Sequence, residues 1–91
     1  MTYEDILKSV GNKVKQFRET RFPDESYNKV GRRALTEGRI IKQLEDGEFN
    51  FTLKFLQRIA DALEVDIGEF FKLDDIKSSA LKKNKKNPKL Q

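Results

Sequence analysis

Apolar residues at positions 6, 7, 10, 14 and 17 recur at helical spacing and predict a first helix. Thr2 is its expected cap, with Asp5 three residues on in a box-like position. Gly11 falls inside the stripe and weakens a helix by roughly 1 kcal/mol, which predicts an irregular start. Phe22-Pro23-Asp24 closes the helix, because proline disfavours helical geometry in the residue before it. Ser26 caps a second helix near 27–34, where Tyr27, Val30 and Ala34 share one face and Lys29, Arg32 and Arg33 lie off it. Thr36 is the expected cap of a third helix near 37–46, with Ile41, Leu44 and Glu45 as inner stripe, Ile40 beside them and Gly47 as stop. Thr52 caps a fourth helix near 53–64, with Leu53, Leu56, Ile59, Ala60 and Leu63 inward. Asp66-Ile67-Gly68-Glu69 opens a short fifth helix in a capping-box-like manner, ending in Phe70-Phe71. Beyond Leu73 the periodicity fades. The expectation is an all-α fold of five helices in one domain, 1–73, followed by a flexible Lys-rich tail, 74–91, with no strand and no internal repeat.

Composition narrows the chemistry. The 91 residues include no Cys and no His, which removes disulfides, thiolate zinc sites, a cysteine nucleophile and the commonest general base. No nucleophile–base set stands out, so no enzyme, no metal and no cofactor is expected. The early acids Glu4 and Asp5 and the lack of an apolar run predict neither a secretory leader nor a membrane span, hence a cytoplasmic protein.

The formal net charge of +4 hides a segregation. Residues 8–42 carry ten basic side chains and four acids; residues 43–76 carry three basic and nine acidic ones; residues 77–91 carry six lysines and no acid. A chain with one basic and one acidic half usually presents the basic half to a partner.

The second and third helices are joined only by Ala34-Leu35-Thr36, and the outer surface of the third holds Arg39, Lys42 and Gln43. That is the arrangement of a helix-turn-helix DNA reader, whose second helix enters the major groove with its first residues against base edges. Arg39 and Gln43, four apart, share a face. Arginine pairs bidentately with guanine O6/N7 and glutamine with adenine N6/N7; the bland alternative is a solvated face.

At Val10-Gly11, Val14, Phe17-Arg18, Val30-Gly31 and Ile41 to Gly47 the sequence resembles the phage repressor and Cro-like (XRE) helix-turn-helix family. The resemblance continues through Thr52-Leu53, Leu56, Ile59-Ala60, Leu63-Glu64-Val65, Asp66-Ile67 and Glu69-Phe70-Phe71, covering roughly residues 9–72. It implies a five-helix, lambda-repressor-like domain of prokaryotic or phage type. Leu35 stands where the family often has a turn glycine, Thr36 where it often has an apolar residue, and Gly31 where alanine is usual. The link from Arg18 to Ser26 is longer than usual.

The resemblance also implies site residues. Glu37, Gly38, Arg39, Lys42 and Gln43 match base-facing positions or flank them. Glu37 is open to two readings, accepting from cytosine N4 or favouring the helix dipole. Gly38 admits either close backbone approach to DNA or relief of the turn; Ile40 either touches a thymine methyl or packs. Phosphate contacts are expected from Ser26, Tyr27, Asn28, Lys29, Arg32 and Arg33, and from Asn50, Thr52 and Lys54 on the other flank. In the family a helix-1 arginine pairs with the glutamate matching Glu45, which implies an Arg18–Glu45 ion pair. Phe49 and Phe51 follow Gly47 in a loop where the family often dimerises, implying a homodimer on a two-fold operator.

The expected function is therefore a sequence-specific regulator of transcription, a repressor binding double-stranded DNA. The rival expectation is an antitoxin-like or other protein-interaction module whose acidic, Phe-rich half docks a partner. The Lys-rich tail has three readings: extra DNA affinity, return to the acidic half, or solubility.

Overall fold

The computed structural model describes residues 1–72, so the expected tail, 74–91, and the domain boundary after 73 lie outside the described residues. Among the described residues the chain is all-helical: α1 (Tyr3–Arg21), α2 (Tyr27–Arg33), α3 (Gly38–Glu45), α4 (Leu53–Leu63) and a 3-10 helix (Ile67–Phe71). No helix among them is long and apolar enough to cross a membrane.

Local signals set most of the boundaries. The Thr2 hydroxyl accepts from the Asp5 N–H at 3.1 Å and the Asp5 carboxylate accepts from the Thr2 N–H at 3.1 Å, a complete capping box. Those bonds to Thr2 hold the Asp5 carboxyl below its ordinary range. Ser26 and Thr52 cap α2 and α4 in the same manner, accepting from Lys29 and Phe55 N–H groups. Phe22 ends α1, its N–H still donating to Arg18 O at 2.9 Å.

Three helix ends use a left-handed residue. After α3, Gly47 takes φ 76; its N–H donates to Leu44 O and that of Glu48 to Gln43 O, the paired bonds of a Schellman turn. After α2, Leu35 takes the same role at φ 62, with Leu35 N–H to Arg32 O and Thr36 N–H to Gly31 O. Glu64 at φ 62 closes α4.

The core is formed by Val10 and Val14 of α1, Val30, Ile41, Leu44, Leu56, Ile59, Leu63 and Phe70, all essentially inaccessible. Four expectations are corrected. First, α1 runs unbroken through Gly11, because α3 crosses it there: a Cβ on Gly11 would meet the carbonyl oxygens of Leu44 and Glu45, the latter at 2.7 Å. Second, Thr36 does not cap α3. The Schellman turn consumes its backbone, and Glu37 becomes the N-cap, without a side-chain cap bond. Third, Leu53 is 66% exposed, not inward. At ~100° per residue it falls on the flank of the buried arc, and Phe55 and Ala62 fill the other flank. Fourth, the fifth element is a 3-10 turn whose N-cap Asp66 makes no side-chain cap bond; Glu69 instead pairs with Lys72 at 2.9 Å.

Candidate functional site

The site is built on the crossing of α2 and α3. Gly31 and Gly38 bring the two backbones together. A Cβ on Gly31 would lie 2.8 Å from Glu37 C, and one on Gly38 would lie 2.8 Å from Asn28 N and strike the Asn28 side chain. Gly38 is therefore buried against α2, where a side chain would have no room. The same crossing sets the start of α2 (Tyr27, Asn28, Lys29) beside the start of α3 (Glu37, Arg39).

A second crossing fixes α3 to α1. The buried Glu45 carboxylate accepts from Arg18 Nε at 2.5 Å and Arg18 Nη2 at 3.0 Å, and from the Tyr27 hydroxyl at 3.0 Å. Arg18 Nη2 also donates to the Tyr27 oxygen at 3.2 Å, and its guanidinium lies 4.5 Å from the centre of the Tyr27 ring. Both carboxylate oxygens are thus satisfied, as a buried charge requires. The bond to Glu45 raises the Arg18 pKa, and burial followed by the Glu45 charge raises that of Tyr27. Tyr27, expected among the phosphate contacts, directs its hydroxyl to this buried pair. Its place on the same face as Val30 was the only available signal.

These two contacts use Ile41, Leu44 and Glu45 and leave the other side of α3 free. Arg39 and Lys42 are well exposed, and Gln43 and Ile40 are half-buried. Arg39 Nε donates to Glu37 Oε1 at 2.8 Å, and Lys42 pairs with Asp46 at 3.1 Å, which raises its pKa. Arg32, Leu35, Thr36, Glu37, Arg39 and Ile40 line a shallow groove of about 700 Å³ next to this face.

The remaining candidates divide. Lys29 is exposed beside the start of α2, 4.0 Å from Glu25. Arg32 is exposed beside the groove. Arg33 turns away from α3: it pairs with Glu25 at 2.6 Å, stacks 4.3 Å over Phe22 and reaches Ala62 O at 3.4 Å. It ties α2 to α4, as does Arg58, whose Nε donates to Ala34 O at 3.1 Å. Thr52 is spent on its cap, Asn50 accepts from the Tyr3 hydroxyl, and Lys54 is exposed at the start of α4. Phe49 and Phe51 are half-buried against the core, with the Phe49 ring centred 4.9 Å from that of Phe55 and tilted 51° to it. The aromatic rings left exposed are those of Tyr3 and Phe71.

A separate cleft of about 600 Å³, between α1, α4 and the 3-10 helix, is lined by Asp61, Glu64, Asp66 and Glu69 together with Phe17 and Arg21. Charge is therefore segregated by surface as well as by sequence. No group of three or more acids among the described residues is arranged to hold a metal ion. The chain matches no protein-family model and no curated protein.

Proposed function

We propose that this chain is a sequence-specific DNA-binding regulator of transcription, a repressor of the phage repressor and Cro-like helix-turn-helix kind. In this reading α2, the Leu35 turn and α3 form the motif. The observation that carries it is the division of labour on α3: one side is locked into α1 and α2, and the other carries Arg39 and Gln43 one turn apart, with Arg39 at the end where α2 also starts.

An α-helix with its side chains is ~10–12 Å across, and the major groove is ~12 Å wide. Entering by its N-terminus, α3 would bring Arg39 and Gln43 to base edges. The start of α2, with Asn28 and Lys29, would reach the phosphate backbone, together with Arg32 and Lys42. The acidic cleft would face away from the duplex, since its charge repels phosphate. A two-fold dimer would read half-sites about one helical turn, ~34 Å, apart.

Selection of bound sequences from a random duplex pool, followed by titration at several salt concentrations, tests the reading. The expected result is an enriched, symmetric site whose affinity falls steeply with salt. Failure to bind any duplex even at low salt overturns it.

A further inference from the structure

Glu37 is an acid on a surface proposed to face a polyanion. Its carboxylate does not serve the helix, since no side-chain cap bond forms at α3. It turns instead to Arg39, accepting from Nε at 2.8 Å, while both side chains stay about two-thirds exposed, at 68% and 69%. Nothing in the core demands this pair.

An unpaired arginine swings through many rotamers and is drawn to any nearby phosphate. Held at Nε, the guanidinium keeps a fixed plane, and both terminal amino groups remain free on its far edge. Guanine offers O6 and N7 to two parallel N–H donors in one plane. Glu37 also cancels the charge of Arg39, so the pair gains little from phosphate in general and most from a base edge that fits. We propose that Glu37 is a positioning residue for Arg39, and that the two act as one neutral unit that recognises a single guanine. The proposal rests on the DNA reading above and adds the specificity determinant to it.

Base-preference profiles of the full chain and of Glu37→Gln test it, each repeated in an Arg39→Lys background. With Arg39 present, Glu37→Gln is expected to reduce discrimination at one G·C pair at least about fivefold. It should also strengthen binding to unrelated duplex and steepen the salt dependence by about one counterion. In the Arg39→Lys background the same change should leave the profile unaltered.

A loss at a different base pair that persists without Arg39 overturns the proposal and makes Glu37 a direct reader of cytosine. A wild-type site whose profile ignores Glu37→Gln overturns it too, with the DNA reading intact. Failure of the wild type to select any site removes the DNA reading itself. NMR of the DNA-free protein checks the pair independently: the Arg39 Nε–H should exchange more slowly than in Glu37→Gln, and equal exchange overturns the positioning role.

Discussion

Arg18 and Glu45 meet edge to edge inside the protein, Nε to Oε2 at 2.5 Å and Nη2 to Oε1 at 3.0 Å, and Tyr27 closes the arrangement from α2. Three helices are thereby joined at one carboxylate. Its side chain is 2% exposed and that of Arg18 11%. Removing one member strands a buried charge, so Glu45→Ala should cost about 3–5 kcal/mol in urea unfolding. The double replacement Arg18→Met with Glu45→Leu should recover most of that, because an apolar pair of similar volume leaves no charge unpaired. A single-variant loss below about 1 kcal/mol would show that the pair is solvated.

Tyr27 gives the same site a pH signature. Burial, then the Glu45 charge, pushes its phenol above the ordinary 10.0. The folded state therefore favours the protonated phenol. Its contribution is fully present below pH ~10 and is lost as pH rises through the raised folded value. The stability difference between wild type and Tyr27→Phe should be constant from neutral pH to about pH 9 and shrink above it. Denaturation curves across that range check the sign; a difference that grows with alkalinity would contradict it.

Gly11 sits where α3 crosses α1, with the Glu45 carbonyl oxygen 2.7 Å from the position of a Cβ. Alanine favours a helix over glycine by ~1 kcal/mol, so propensity alone predicts a stabilised Gly11→Ala variant. The clash is with backbone, which cannot rotate aside. Overpacking of this kind costs typically ~1–3 kcal/mol, and the net effect should be a lower melting temperature. An unchanged or higher value would show that α3 shifts freely.

Leu35 offers the opposite case. It is 77% exposed and holds φ 62, so its side chain contributes little burial while its backbone is strained. The left-handed region costs a non-glycine residue ~1–2 kcal/mol, and glycine returns part of that through the entropy of the unfolded chain. Leu35→Gly should stabilise the protein by roughly 0.5–1 kcal/mol, measurable by thermal or urea unfolding.

On DNA, Arg39→Ala should relax the preference at one base pair by ~1–3 kcal/mol, whereas Lys29→Ala should weaken all duplexes alike and reduce the salt slope by about one. Equal losses on every sequence would move Arg39 to a phosphate role. Quantitative binding to the selected site and to single-pair variants distinguishes the two.

What the sequence revealed was local or periodic. Thr2, Ser26, Thr52 and Gly47 announce helix ends because capping and left-handed turns depend on the residue itself. Glu45 could be placed inward because it shares the Ile41–Leu44 stripe. Contacts between elements were hidden: the hydroxyl of Tyr27, the arginines that reach Ala34 and Ala62 carbonyls, and the glycine crossings all depend on which helices meet. Leu35 shows the limit from another side, since a leucine carries no signature of positive φ, and the misplaced Thr36 cap followed from that. For the candidate site, the outward set Arg39, Lys42 and Gln43 was legible from the helical period. The Glu37–Arg39 pair and the burial of Gly38 were not.

The backbone-to-backbone seating of α3 on Gly11, Gly31 and Gly38 separates what holds the helix from what it displays. The exposed side chains of Glu37, Arg39 and Lys42 can be exchanged with little disturbance to those glycine contacts. Such a scaffold separates drift of its exposed surface from stability, so under the proposed function a few substitutions there would redirect a descendant or an engineered variant to a different target.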